Sequence, residues 1–349
     1  MAAKNVNFFP KCGKRLPRSA PEAASDDVKP TVHSHATAPA GHVRATPPRA
    51  SAPAGVPSAV AEPKDTPARR WETAFGYARN FLDNRFVYVV VSPRARGLSV
   101  GVNMNPDKRC NFDCVYCEVN RRAPPRETVL DVPVMIRELR DTLRRAWEDR
   151  LRSVPGFQNL PAELLQLRHV TLSGDGEPTL CPNFSEAVQA VLHLRALGEG
   201  PFFKIVLVSN ATALDRPEVQ EGISALTPQD EIWLKLDAGT REYYERIDRP
   251  QVPFEQVLAN ILAAGRQRPI VIQSLFPKFC GAEPAEAEIE AYVARLRELR
   301  DAGAQIALVQ VYSAMRPTMH PECGHLPLRT LSRIAQAVHK GTGLRAEVF

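Results

Sequence analysis

The sequence predicts an α/β protein built on a largely parallel sheet and preceded by an N-terminal arm without regular structure. Three observations lead there. From residue 86 onward, short β-branched runs alternate with amphipathic helical stretches, the pattern left by repeated βαβ crossovers. Residues 1–70 are rich in Ala, Pro, Ser and Thr and follow neither the period of a strand nor that of a helix. Charge is segregated in the same way: residues 1–70 hold 11 Lys and Arg against 5 Asp and Glu, which is the whole net charge of +6, and residues 71–349 hold 34 of each sign. The basic pI near 9.0 therefore describes the arm. It does not support nucleic-acid binding by the body as a whole.

Taken in order, residues 1–70 form the expected arm, too poor in apolar surface to offset the entropy of ordering it. Its start, Phe8 to Leu16 around Cys12-Gly13, resembles half of a zinc-ribbon knuckle with the first cysteine replaced. No second C-x2-C completes it, and His33, His35 and His42 are the only nearby candidate ligands. Residues 71–349 form the expected folded domain. Trp71 to Phe81 has helical spacing, Phe86 to Ser92 reads as a strand, and Leu98 to Met104 reads as a second strand.

Beyond residue 130 the alternation is regular. Helices are expected over Val132–Arg150, Asn183–Leu197, Pro217–Ala225, Phe254–Arg266, Glu283–Ala302 and Leu328–Lys340. Strands are expected over His169–Ser173, Phe203–Ser209, Glu231–Leu236, Ile270–Leu275 and Ile306–Tyr312. Counted from Leu98 this makes six β/α units, enough for a partial TIM-like (β/α)6 barrel, with an open doubly wound sheet as the competing architecture. Either arrangement places a ligand site at the carboxyl ends of the strands.

Composition excludes some classes. Seven cysteines, unevenly spaced, do not form a secreted disulfide framework, so a reduced cytoplasmic setting is expected. No apolar run reaches the roughly 20 residues a membrane helix needs, and the N-terminus lacks the apolar core of a signal peptide.

The motifs fall at the expected strand ends. Cys110, Cys114 and Cys117 are spaced C-x3-C-x2-C in the loop after the Leu98 strand, with Tyr116 just before the last cysteine. Three thiolates suit an iron–sulfur cluster or zinc and leave one coordination position open. Ser173-Gly174-Asp175-Gly176-Glu177-Pro178 ends the next strand, with two glycines that let backbone approach a ligand and carboxylates that accept from an ammonium group. Ser209-Asn210 ends the third strand, and Lys235 and Asp237 straddle Leu236 at the end of the fourth, on one face by the period of a strand.

This set resembles the radical S-adenosylmethionine (radical SAM) superfamily over roughly residues 99–312. Within it, C-x-F-D-C-V-Y-C with S-G-D-G-E-P-T-L looks closest to a group allied to wyosine-type tRNA-modifying proteins. The resemblance implies that Cys110, Cys114 and Cys117 ligate a [4Fe–4S] cluster whose fourth iron is chelated by SAM. Reductive cleavage of SAM then yields a 5′-deoxyadenosyl radical that abstracts hydrogen from substrate. Gly174, Asp175, Gly176 and Glu177 correspond to the family's G-G-E-P segment, which holds the SAM amino group, with Asp175 interrupting the glycines. Ser209-Asn210 is similar to the family's S/T-N-G-T segment, with Ala211 in place of glycine. Lys235 and Asp237 lie where the family contacts the SAM ribose or carboxylate, and Tyr116 belongs to the same set. The family also implies an electron donor such as a flavodoxin or ferredoxin; the resemblance does not fix the substrate, for which RNA and peptide are the classes considered.

The bland readings are a zinc knuckle for the cysteines, a tight turn for Gly174–Gly176 and a structural ion pair for Lys235 and Asp237. They add up to the alternative of a non-catalytic iron–sulfur or zinc protein with a redox or regulatory role. Cys181, Cys280 and Cys323 each follow a strand end and invite the question of an auxiliary cluster. Arg121, Arg122 and Arg126, with Arg137, Arg140, Arg144 and Arg145, offer an anionic surface a partner, but interleaved acids make an ordinary solvated face the expectation.

Overall fold

The computed structural model describes residues 81–349. The arm, the zinc-ribbon-like start, Cys12, the three histidines and all but the last residue of the expected Trp71–Phe81 helix lie outside the described residues. Ten strands and seven α-helices follow in the order β1 (Val87–Ser92), β2 (Gly97–Asn103), α1 (Val132–Trp147), β3 (Leu167–Ser173), α2 (Phe184–Ala196), β4 (Lys204–Ser209), α3 (Pro217–Ser224), β5 (Glu231–Lys235), α4 (Arg241–Ile247), α5 (Phe254–Gln267), β6 (Ile270–Leu275), β7 (Lys278–Phe279), α6 (Glu286–Asp301), β8 (Ile306–Tyr312), β9 (Cys323–Gly324), α7 (Leu328–Thr342) and β10 (Ala346–Val348).

Eight strands make one sheet in the order β1-β2-β3-β4-β5-β6-β8-β10, curled into a half-barrel. Every neighbouring pair from β2 to β10 is parallel, and β1 pairs with β2 as an antiparallel hairpin. The six expected β/α units are present. A seventh parallel strand, β10, adds to the far edge, and β7 and β9 form a small separate ribbon.

The helices form where sequence and caps agree. In α1, Asp131 accepts a hydrogen bond from Val134 N at 3.0 Å, Pro133 sits in the first turn, and Met135, Leu139 and Leu143 recur on one buried stripe. From the flank of that stripe Glu138 accepts the backbone N–H groups of Arg85 (2.7 Å), Phe86 (2.8 Å) and Val87 (3.2 Å), fixing the start of β1.

The two faces of the sheet differ. The helix-covered outer face belongs to one continuous apolar core. The inner face carries only a small second cluster of Val206, Trp233 and Val271, flanked by Val208 and Leu308. Polar side chains fill the rest of the inner face, among them a Gln273–Gln310 hydrogen bond of 2.9 Å and a Ser99–Thr171 hydroxyl pair at 2.8 Å. The β1–β2 turn reaches the far edge, where Arg96 pairs with Glu347 of β10 at 2.7 Å and the Arg94 guanidinium lies 4.3 Å from the centroid of the Tyr312 ring.

His169 on β3 packs edge-to-face against Trp233, with ring centroids 5.4 Å apart. Burial, with Lys204 and Arg94 nearby, pulls its pKa down to about 3. An unfolded histidine binds a proton near pH 6.5 while the folded one stays neutral, so protons favour the unfolded chain between those values. Stability should fall by about 1.4 kcal/mol per pH unit from roughly pH 6 towards pH 3 on this account alone. The His169→Gln variant should lose that component, and urea titrations of both proteins at pH 7, 5 and 4 measure it.

Candidate active site

Three strand ends and one loop meet at the top of the half-barrel. The loop from Asn105 to Arg126 leaves β2 and is pinned by backbone to the segment after α4: Asp113 N donates to Asp248 O (3.1 Å), Val115 N to Ile247 O (2.8 Å) and Gln251 N to Asn111 O (2.9 Å). Phe112 packs edge-on against Tyr244 of α4 at 5.6 Å. The rigid backing orients the three thiols of Cys110, Cys114 and Cys117, which are partly buried and in the reduced form. Burial pushes Cys110 up to about 11 and raises Cys114 and Cys117, so none is a thiolate at neutral pH without an added cation. Arg121 supplies some positive charge: it donates to Phe112 O at 2.6 Å and to Cys117 Sγ at 3.8 Å.

The β3 end locks onto this loop. Glu177 N donates to Arg109 O at 2.9 Å. A Cβ on Gly176 would stand 1.8 Å from that same carbonyl oxygen, so the crossing requires glycine. Asp175 and Asn103 exchange a reciprocal pair of 2.9 Å hydrogen bonds. Gly174 lies against Asn105, whose buried Oδ1 has no hydrogen-bond partner.

The Glu177 carboxylate is turned away from that surface and buried. Oε1 accepts from Thr179 N (3.1 Å), Thr179 Oγ1 (2.7 Å) and Ser209 Oγ (2.7 Å), and Oε2 accepts from Asn210 N (2.7 Å). Burial raises its pKa and these donors pull it back. Asn210 then reaches the cysteine loop through Asn111 (2.9 Å). Ala211 takes φ +65°, a left-handed value that favours glycine, which accounts for the glycine of the pattern it departs from.

At the β5 end Lys235 Nζ meets Asp237 Oδ2 at 3.1 Å and Tyr312 Oη at 3.3 Å, and lies 4.9 Å from the centroid of the Tyr116 ring. Asp237 accepts from Leu275 N at 2.6 Å and from Tyr116 Oη at 2.5 Å. The same phenol contacts Asp248 at 2.8 Å. A phenol has one hydrogen to donate, so two ionised carboxylates cannot both be served by it. Burial and the neighbouring Asp237 push Asp248 well above the usual carboxylate range, which leaves Asp248 protonated and donating to Tyr116. Burial pulls Lys235 down, but Asp237 and the groups around it outweigh that and hold the ammonium charged.

Residues 104–276 match the radical SAM superfamily model. Those residues form a radical SAM domain. Among curated relatives, a UPF0026 protein of Helicobacter pylori strain 26695 is 25% identical over 73% of this chain and 80% of its own length. UPF0026 protein slr1464 of Synechocystis is 30% identical over 50% of this chain and 57% of its own length. The S-adenosyl-L-methionine-dependent tRNA 4-demethylwyosine synthase TYW1 of Mus musculus is 26% identical over 42% of this chain, but only 19% of that protein is covered. A structure of TYW1 with a lysine-pyruvate adduct bound aligns at 16% identity and a TM-score of 0.48, over 74% of this chain and 84% of that one.

Radical SAM enzymes use a [4Fe–4S] cluster and SAM. The residues here fit both. Three thiols on one braced loop are a soft donor set with a fourth position left to another ligand, and a bound iron cluster holds such thiols deprotonated despite their burial. The partnerless Asn105 Oδ1 beside Gly174 is an acceptor suited to an ammonium group.

All of the strand-end residues singled out from sequence are thus joined to the cysteine loop directly or through one intermediary. Cys181, Cys280 and Cys323 are not: Cys181 is buried after a 3-10 turn at Pro178–Leu180, while Cys280 and Cys323 lie at the β7–β9 ribbon. Among the described residues no three His, Cys, Asp or Glu side chains converge on a single metal ion, the three loop thiols included; in an iron–sulfur cluster those thiols would each bind a different iron.

Sequence reading missed α4, Asn105 and Asp248. The signal for α4 was available in Thr240, which caps it by accepting from Tyr243 N at 3.2 Å. Asp248 carries no such mark, since its importance comes only from the Tyr116 it meets across 132 residues of chain. Removing that phenol hydroxyl with Tyr116→Phe leaves two buried carboxyls short of a partner. It should lower the unfolding free energy of the metal-free chain by about 2 kcal/mol in urea, and a change below about 0.5 kcal/mol would contradict the network.

Proposed function

We propose that Cys110, Cys114 and Cys117 hold the cluster of a radical SAM enzyme, and that Gly174, Asp175 and Asn105 receive the amino group of SAM. The observation that supports this assignment is the continuous hydrogen-bonded path linking the cysteine loop to the ends of β3, β4 and β5. When bound, the cluster and SAM supply one-electron cleavage of a C–S bond and a radical that takes hydrogen from substrate. The residues of the chain bind, orient and exclude water. Glu177, Gly176, Ser209 and Asn210 act as positioning residues: they fix the β3 and β4 ends against the cysteine loop. Lys235 and Asp237 set Tyr116 and present charge to the rest of SAM. The catalytic unit we propose is residues 71–349.

No helix among the described residues is long and apolar enough to cross a membrane. The setting we propose is the cytoplasm, with electrons from a flavodoxin or ferredoxin. The substrate classes we propose are RNA, the class named for the relatives that are tRNA 4-demethylwyosine synthases, and peptide.

Anaerobic reconstitution with iron and sulfide, followed by dithionite and SAM, should release 5′-deoxyadenosine. Replacing any one of Cys110, Cys114 or Cys117 by Ala should abolish both the iron–sulfur absorbance and that release. Bound zinc with no 5′-deoxyadenosine would instead establish the non-catalytic reading. Glu177→Gln keeps the iron but removes the charge and one of the two acceptor oxygens that four donors share, so 5′-deoxyadenosine release should drop about tenfold or more through misplacement of the β3 end.

A further inference from the structure

The inner face of the half-barrel holds a cation that the fold leaves without a counter-charge. Arg94, in the β1–β2 turn, stacks on Tyr312, the last residue of β8. Its Nε is buried and has no hydrogen-bond partner, and among the described residues no carboxylate lies within ion-pair distance of the guanidinium. The nearest acid on this seam, Glu347, is already held by Arg96 and by Arg345. Lys235 on the other side of Tyr312 belongs to Asp237, and Lys204 belongs to Glu231 at 2.5 Å. The surplus positive charge registers independently on His169, where Arg94 and Lys204 add to burial in keeping the ring neutral. Arg94 is half-buried, and a guanidinium whose Nε is enclosed without a partner and whose charge has no counter-ion is a ready seat for an anion.

Donors converge beside it. The Tyr312 hydroxyl accepts from Lys235 and keeps its own hydrogen to give. Gln310, two residues earlier on the same strand face, has its carbonyl oxygen engaged by Gln273, which leaves its NH2 group with no acceptor among the described residues.

We propose that Arg94, Tyr312 and Gln310 form an anion subsite of the substrate pocket that holds a carboxylate of the substrate. This rests on the radical SAM reading for its purpose but not for its existence. One uncompensated cation matches one negative charge, and the planar fork of arginine matches a carboxylate. Enclosure favours a terminal group over a chain-internal phosphodiester: Tyr312 is 9% exposed and Gln310 2%, so two flanking sugars would not fit beside them. Tyr312 contacts Lys235, and Lys235 lies over Tyr116 of the cysteine loop, so a substrate anchored here has its other end directed towards the cofactors.

The test is calorimetric titration of the cluster-reconstituted full chain with acetate, dimethyl phosphate or chloride at equal ionic strength. Acetate should bind saturably. Arg94→Gln should weaken it at least about tenfold, with Arg94→Lys falling between, while Arg96→Gln changes it less than about twofold. Melting curves of the variants without acetate report whether each is folded. Equal responses to acetate and chloride, preference for dimethyl phosphate, or undiminished acetate binding by folded Arg94→Gln would each overturn the assignment. A melting temperature that Arg94→Gln lowers equally with and without acetate would reduce Arg94 to a latch between the sheet edges. Because no SAM cleavage is measured, failure here is distinct from failure to release 5′-deoxyadenosine.

Discussion

A buried carboxylate with four donors holds the top of this half-barrel together. Glu177 gathers Thr179 from its own loop and Ser209 and Asn210 from the next strand end, while its backbone N–H is fixed to Arg109 at the root of the cysteine loop. Burial of a charge is tolerable only when its acceptor sites are filled, and here they are filled by groups from elements that must be placed relative to one another. The energetic demand of one side chain thus becomes a geometric specification for three loops. The glycine at 176 follows from it, since the crossing that brings Glu177 N onto Arg109 O leaves no space for a Cβ.

The second organising contact is Tyr116 between Asp237 and Asp248. Its hydroxyl connects the cysteine loop to β5 on one side and to the end of α4 on the other. The loop therefore does not stand free above the barrel but is laid along residues 247–251 and sealed from beneath by Phe112 and Val115. Burying three thiols beside carboxyls is unfavourable for thiolates in the metal-free chain, which couples occupation of the site to the charge of what fills it.

Much of the fold was legible because it rests on local pattern. Ile270–Leu275 and Ile306–Tyr312 were readable to the residue, since β-branched runs bounded by turn residues leave little choice. The ends of α1 and α6 were less so: Glu148 and Asp149 close α1 before a 3-10 turn, and Glu283 lies outside α6. The two-residue ribbon strands and β10 were missed because so short a strand is defined by its partner, not by its own composition. At the site, motif residues were visible as strand-end polar residues. Asp248, Asn105 and Arg94 were not, because each acquires meaning from a neighbour distant in sequence: a phenol, a glycine backbone and a tyrosine ring.

The unequal faces of the sheet carry a consequence for divergence. Most of the apolar core lies between strands and helices, and the inner face contributes only the small group around Trp233. Side chains on the inner face can therefore be exchanged with little loss of cohesion, while the strand ends that seat the cofactors stay as they are. The scaffold separates the machinery that makes a radical from the surface that chooses its target, and lineages built on it can change the second while inheriting the first.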